Sequence, residues 1–307
     1  PSEIGGGFGG KTKVYLEPLA LLLSRQSGRP VKMVMTREEV LRATGPTSGG
    51  HARAKIGAKK DGTLVAAELE MEYEAGAFAG SPVKLGCMTG FAPYNLKHVS
   101  CIGWDVVVNR PQAAAYRAPG APVAAFAVES AMDELADTLG IDPLELRIKN
   151  AAVEGTQAPY GVKFPKIGCL ETLRQAKATE HYNMPLGPNQ GRGVASGFWF
   201  NIGGQSSASV MVNPDGTVIV ATGSPDIGGS RASMALMAAE VLGIDYDNIK
   251  PLVADTESVP FSDLTGGSRV TFATGKAVVE AAEDAVNDMK RRAAKIWDVD
   301  IDQVEWK

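Results

Sequence analysis

Gly5-Gly6-Gly7-Phe8-Gly9-Gly10-Lys11-Thr12 satisfies two nucleotide motifs at once. Read as G-x-x-x-x-G-K-[ST] it is a phosphate-cradling P-loop. Read as G-x-G-x-x-G it is a dinucleotide fingerprint, because so glycine-rich a run fits almost any glycine spacing. A P-loop needs a β-strand to deliver the glycines and a helix to receive them, so that backbone N–H groups and a helix N-terminus aim at phosphate. Thr12 to Arg25 has the pattern of a helix, but Pro1-Ser2-Glu3-Ile4 is too short for the strand and opens on proline. The best imitation of a magnesium-holding strand, Val218 to Asp226, runs into another glycine loop instead of ending at the acid. No βαβ unit follows Thr12, which counts against the dinucleotide fold. A P-loop NTPase using Gly5 to Thr12 stays open as an alternative, as does a non-catalytic fragment whose glycine loops serve only packing.

The chain of 307 residues has room for two medium-sized cores. With 44% hydrophobic and 21% charged residues and a net charge of −4, it has the composition of an ordinary globular protein and no electrostatic case for nucleic acid. Apolar runs such as Leu19-Ala20-Leu21-Leu22-Leu23 fall well short of the roughly 20 residues of a membrane span, and no signal pattern opens the chain. No membrane span and a cytoplasmic location are therefore expected. Cys87, Cys101 and Cys169 stand apart, as do His51, His98 and His181, so no zinc or iron–sulfur ligand set is expected from this chain. No G-x-S-x-G elbow supports nucleophilic hydrolysis.

The expected elements, after the helix from Thr12, begin with a short strand over Val31 to Met35. A hairpin follows, joining Ala52–Ile56 to Leu64–Leu69 through Lys60-Asp61-Gly62. Thr36-Arg37-Glu38-Glu39 reads as a helix cap with its box glutamate. Pro122 to Leu139 reads as a helix with Phe126, Met132 and Leu135 on its apolar side, stopped by Gly140, and Asp142-Pro143 starts the next. The turn formers of residues 184 to 192 mark a candidate domain boundary. Beyond it, Gly193–Phe200, Ser206–Val212 and Thr217–Thr222 read as a meander. Helices over Arg231–Leu242 and Ala273–Trp297 flank a strand at Ile249–Ala254, and Val304 to Lys307 reads as the start of another strand. The fold class is α+β: two domains of mixed or antiparallel sheet with packed helices, residues 1–188 and 189–307.

GGGFGG has company. Ala115 to Pro122 (AYRAPGAP), Thr222 to Arg231 (TGSPDIGGSR) and Thr265 to Thr271 (TGGSRVT) each place glycine where a helix begins. Several such loops can wrap one long, polyanionic or hydrogen-bond-rich cofactor with backbone N–H groups.

GGGFGGK, then TREE at Thr36 to Glu39, AYRAPGAP, FAVESAMDELADTLGIDPLELRIKN at Phe126 to Asn150, DIGGSR and TGGSRVTFATG follow one another in an order that resembles the xanthine dehydrogenase and aldehyde oxidase family. These are the molybdenum hydroxylases, and the similarity is to the large subunit carrying the molybdopterin cofactor. It covers nearly the whole chain. The resemblance implies molybdopterin, in its cytosine dinucleotide form, at the interface of the two domains, with molybdenum held by the cofactor's dithiolene rather than by protein ligands. It implies [2Fe-2S] and FAD on iron–sulfur and FAD partner subunits, and a small-molecule substrate, an aldehyde or N-heteroaromatic carbon hydroxylated with water.

The same resemblance gives residues their parts. Gly7, Phe8 and Gly9 would lie against the metal's oxo ligand, with Gly9 admitting the backbone closely. Tyr116, Arg117, Ala118, Pro119 and Gly120 would form the wall facing metal and substrate. Gly228, Gly229 and Ser230 would meet the dinucleotide tail or pyrophosphate, and Gly267, Ser268, Arg269, Val270 and Thr271 the pterin. Arg117 and Arg269 also read as structural arginines, whereas Arg231 suits a phosphate. Lys11 reads as a solvated or salt-bridged residue. Thr12 stands where purine-oxidising members often carry glutamate, which points away from a purine. No glutamate sits in the context expected of the general base, which is implied beyond residue 307 in the remaining parts of the large subunit; this chain alone is expected to be inactive.

Overall fold

In a computed structural model, residues 3–200 and 202–307 are described. The chain divides into two compact units, Phe8–Trp199 and Pro1–Gly7 with Phe200–Lys307. The turn expected at 184 to 192 does form, with Asn189 left-handed at φ 61° and the Gln190 side chain accepting the Gly187 N–H at 2.8 Å. It lies inside the larger unit, because the segment after it stays attached there. The Ser196 N–H donates to Glu129 Oε2 at 2.6 Å, and the Phe198 ring packs 5.6 Å from that of Phe164. Those attachments also explain why residues 193 to 200 carry no strand, contrary to their alternating pattern. Side-chain anchors take the place of a sheet ladder.

The larger unit begins with α1 (Glu17–Ser27) and α2 (Arg37–Ala43). The expected helix from Thr12 starts five residues late because Pro18 lacks an N–H and is tolerated only in a first helical turn. Val31 to Met35 forms no strand. Extended propensity without a neighbouring strand leaves the backbone unladdered. The Thr36 box is built as expected: Thr36 Oγ1 accepts the Glu39 N–H at 3.2 Å, and Glu39 Oε2 accepts the Thr36 N–H at 2.7 Å.

Next come β1 (Gly50–Ala58), β2 (Leu64–Gly76), α3 (Val83–Thr89) and β3 (His98–Val107), in the sheet order β1-β2-β3. β1 and β2 are antiparallel with Ala54 opposite Leu69, while β3 runs parallel to β2 with Cys101 opposite Leu69. From Ala67 to Ala75 β2 alternates, burying Leu69, Met71 and Tyr73 and turning Glu68, Glu70 and Glu72 outward. The buried face meets Val128, Met132 and Ala136 of α4 (Ala121–Leu139). Phe126 departs from the expected stripe: it is 78% exposed, whereas Met132 is fully buried. Gly140 caps α4 at φ 64°, and the Asp142 carboxylate then accepts the N–H groups of Leu144 and Glu145 to start α5 (Pro143–Asn150). α6 (Cys169–Ala178) and α7 (Glu180–Asn183) complete the unit.

In the smaller unit β4 (Ala208–Val212), β5 (Val218–Thr222), α8 (Ser230–Leu242), β6 (Ile249–Val253) and α9 (Gly275–Trp297) form a sheet of order β4-β5-β6 with a helical layer. β4 and β5 are antiparallel, but β6 runs parallel to β5. So β5–α8–β6 is a βαβ unit, and the strand, glycine loop and helix sought at Gly5 occur here instead. The core joins Val218 and Val220 to Ala235, Ala238, Val278 and Ala282. Residues 304 to 307 are not a strand. Val304 is buried, and the Trp306 indole donates to the Leu242 carbonyl at 3.1 Å, closing the C-terminal end of α8.

Candidate functional site

The larger unit brings two of the glycine loops together. Phe8 and Gly9 are both left-handed, at φ 51° and 95°, as are Ala118 and Gly120, at φ 54° and 83°. The Arg117 N–H donates to the Phe8 carbonyl at 2.7 Å. A Cβ on Gly9 would lie 2.3 Å from the Ala115 carbonyl oxygen, so this is a backbone-on-backbone contact that only glycine permits. Gly120 is similarly enclosed, its absent Cβ 2.5 Å from the Pro82 oxygen, and its carbonyl accepts the Tyr73 hydroxyl at 3.0 Å. Burial pushes the Tyr73 phenol well above its ordinary range, with the neighbouring Cys87 adding to the shift, so the hydroxyl stays a donor. The exposed Phe8 and Tyr116 rings stand 6.4 Å apart, tilted by 50°, as an aromatic pair on this loop surface. Thr12 turns inward to the loop, its hydroxyl donating to the Gly9 carbonyl at 2.8 Å.

The P-loop geometry is not made. Gly10–Thr12 is a single 3₁₀ turn, and the chain becomes extended at Lys13, so no α-helix follows Lys11 directly. Among the described residues Ile4 contributes only an isolated parallel bridge to Ile227, with the Ile4 N–H donating to the Asp226 carbonyl at 2.9 Å.

The smaller unit holds the other two loops. Gly228 and Gly229 are left-handed at φ 64° and 86°, and Gly229 is the N-cap of α8. Asp226 is buried beneath them, with Oδ1 accepting the Arg231 N–H at 3.2 Å and Oδ2 lying 3.0 Å from Arg231 Nε. Arg231 is therefore paired within its own loop. Ser230 Oγ braces the same turn, receiving the Ile227 N–H and reaching the Pro225 carbonyl, both at 3.3 Å.

Gly267 and Ser268 are left-handed in succession, at φ 64° and 59°. Arg269 is 3% exposed. Its guanidinium donates to the carbonyls of Gly203, Asp263 and Gln205 and to Ser206 Oγ. Of the two readings open for Arg269, the structural one describes its side chain, which clamps residues 203–206 to 263–269. Val270–Thr274 is a π turn leading into α9, with Val270 buried and Thr271 exposed.

The residues around these loops fit a large group rich in hydrogen-bonding atoms. Thr222 Oγ1, Ser262 Oγ and Thr265 Oγ1 are buried with no hydrogen-bond partner among the described residues, beside loops with left-handed turns. No cluster of histidine, cysteine or acidic residues that could ligate a metal occurs among the described residues, and no helix among them is long and apolar enough to cross a membrane. Two cavities of about 240 and 390 Å³ in the larger unit, one beside Tyr182 and Arg192 and one beside Lys97 and Gly155, are lined by none of the expected site residues.

Sequence reading missed the group that holds the longest motif together. Glu129, Arg147 and Tyr94 form a buried cluster in which Arg147 Nε donates to Glu129 Oε2 at 2.8 Å, Tyr94 donates to Glu129 Oε1, and Arg147 also reaches Asp133 at 2.8 Å. The available signal was Glu129, three residues from both Phe126 and Met132 on the helix side read as apolar, with the oppositely charged Arg147 in the next helix.

Each of the two units carries two of the glycine loops, with left-handed residues at their turns. A model described as a molybdopterin cofactor-binding domain matches residues 1–151, and a second of the same description matches residues 168–307. The xanthine dehydrogenase molybdenum-binding subunit of Escherichia coli O157:H7 is 32% identical over 302 residues, covering 91% of this chain and 40% of that protein. The aldehyde oxidoreductase of Megalodesulfovibrio gigas is also 32% identical over 302 residues, covering 92% of this chain and 33% of its own length. Among solved structures, the reconstituted CO dehydrogenase from Oligotropha carboxidovorans superposes with a TM-score of 0.82 at 26% identity, over 100% of this chain and 43% of that one. The chain belongs to the molybdopterin-binding xanthine dehydrogenase/aldehyde oxidase family, and it spans about two fifths of the length of the E. coli relative.

Proposed function

We propose that this chain is the molybdopterin-binding part of a molybdenum hydroxylase that oxidises an aldehyde or N-heteroaromatic carbon with water as oxygen source. The observation that carries the reading is the β5–α8 segment, where a buried strand delivers two left-handed glycines to a helix N-terminus. That arrangement suits the pyrophosphate of a dinucleotide cofactor, through the backbone N–H groups of Gly228, Gly229 and Ser230. The cytosine dinucleotide is the form proposed. Gly267, Ser268, Val270 and Thr271 offer backbone and hydroxyl groups to the pterin, with Arg269 holding their loop in shape from behind. Gly7, Phe8 and Gly9 with Arg117, Ala118 and Gly120 would approach the metal end, where the Gly9 contact with Ala115 leaves no room for a side chain.

When bound, the molybdenum cofactor would supply two-electron hydroxylation chemistry, and [2Fe-2S] and FAD centres on partner chains are proposed as its electron acceptors. The chain's own residues bind and shape. The Phe8 and Tyr116 rings, with Pro119, present an apolar surface suited to a flat or small carbonyl substrate, and Thr12 fixes the Gly9 turn through its carbonyl. None of these residues is assigned as the general base, which is proposed to be a glutamate in the remaining part of the large subunit. A cytoplasmic enzyme is proposed.

Metal and pterin analysis of the full-length enzyme, beside calorimetry with ATP, tests the reading. One molybdenum and one pterin per chain with no ATP binding is the expected result. Stoichiometric ATP binding without molybdenum would overturn it in favour of the NTPase.

A further inference from the structure

Among the described residues, one buried side chain bridges the 223–230 loop and the 203–206 segment that Arg269 clamps to residues 263–269. Thr274 is fully buried at the end of the π turn, and its Oγ1 lies 3.0 Å from Ser206 Oγ on one side and 3.0 Å from Ser224 Oγ on the other. Ser224, 3% exposed, is the second residue of the 223–230 loop that follows β5. Ser206 lies in the 203–206 segment that Arg269 clamps, and its oxygen accepts from the Arg269 guanidinium. Arginine has only donors, so Ser206 Oγ is an acceptor toward it and keeps its own proton for Thr274. Thr274 can then pass its proton toward Ser224. The result is a chain of hydroxyls from Ser206 to Thr274 to Ser224, polarised from the Arg269 end and buried at Thr274 and Ser224.

We propose that Thr274 is a positioning residue whose hydroxyl locks the 223–230 loop to the 265–271 loop, so that both meet one cofactor in a fixed register. The proposal rests on the molybdopterin reading for what the loops hold, but the coupling itself needs only the geometry above. The neighbouring contacts make Thr274 the joint. Asp263 binds its own side of the join, giving its N–H to the Gln205 carbonyl at 2.9 Å and accepting the Gln205 N–H at 2.6 Å. Arg231 and Asp226 brace the other side internally. Among the described residues Thr274 alone hydrogen-bonds to Ser206 and Ser224 together. A threonine places its hydroxyl at a χ1 restricted by its β-branch, and valine reproduces that shape without the polar atom.

The test is amide hydrogen exchange on the full-length protein carrying Thr274→Val or Thr274→Ser. The valine variant should speed exchange of both 223–230 and 265–271 by about tenfold, the size expected for one or two buried hydrogen bonds. β4, β5, β6 and α9 should be unchanged, and serine should restore wild-type protection. Uniform acceleration across the unit, or none, overturns the proposal. If Thr274→Val does not fold, Ser224→Ala decides, because it should free 223–230 while 265–271 stays protected; a loss in both loops or in neither counts against Thr274 as the joint. Molybdenum content is measured on the same samples and should fall about tenfold in Thr274→Val and recover in Thr274→Ser. Equal loading of valine variant and wild type overturns the positioning role. A wild-type protein with no molybdenum overturns the molybdopterin reading instead, and the exchange result still decides the coupling.

Discussion

Arg147 Nε lies 2.8 Å from Glu129 Oε2, with the arginine side chain fully buried and the glutamate side chain 7% exposed. The pair ties α5 to α4, and through the Ser196 N–H on the same carboxylate oxygen it ties the 193–200 segment to both. Removing Arg147 leaves the Glu129 charge buried without its cation, and removing Glu129 leaves the buried Arg147 with only the half-exposed Asp133. Glu129→Ala or Arg147→Ala should each cost roughly 3–5 kcal/mol in urea unfolding. The double variant should cost far less than the sum of the two, and additive losses would show that the charges do not act as a pair. Exchange at Ser196 should rise in both single variants.

Gly9 and Gly10 are neighbours in sequence with opposite tolerances. Gly9→Ala places a Cβ 2.3 Å from the Ala115 oxygen at φ 95°, whereas a Cβ on Gly10 meets nothing within 4 Å. The first substitution should destabilise the protein by about 2 kcal/mol or more and lower molybdenum content, while the second should stay within about 0.5 kcal/mol. Equal effects at the two positions would argue against a close backbone approach at Gly9.

Asp61 in the β1–β2 turn accepts the Thr63 N–H at 3.0 Å and the Thr63 hydroxyl at 3.0 Å, and these bonds, backbone first, hold its carboxyl down at about 2 from an ordinary 3.8. A depressed folded-state value means that its contribution is present above the unfolded pKa near 3.8 and lost as pH falls through about 2. An NMR titration should therefore find the Asp61 midpoint near 2, and Asp61→Asn should weaken turn protection at pH 6 but not at pH 2. A midpoint near 4 would remove the hydrogen-bond argument.

Burial, with Cys87 adding to it, pushes the Cys101 thiol up to about 12. At pH 8 its thiolate fraction is on the order of a thousandfold below that of an ordinary cysteine. Timed iodoacetamide labelling read by mass spectrometry should find Cys101 nearly inert in the folded protein and reactive in urea. Fast labelling of the native protein would contradict the burial.

The sequence by itself determined what local chemistry dictates. The Thr36 and Asp142 caps, the Gly140 stop, the Asp61-Gly62 hairpin and the alternation of β2 each depend on a few neighbouring residues, and each forms where it was read. The order of glycine motifs carried the family. What tertiary structure alone decided depends on partners distant along the chain. Val31–Met35 and Gly193–Phe200 have strand-like patterns, but a strand exists only where a second one offers its N–H and C=O groups. Phe126 shares the apolar pattern of Met132, yet α4 buries Met132 against the sheet and leaves Phe126 in solvent. Arg269 read both as a ligand for the pterin and as a structural arginine; its guanidinium meets the Gly203 and Gln205 carbonyls and the Ser206 hydroxyl, 63 to 66 residues away in sequence, a match that only folding could bring together.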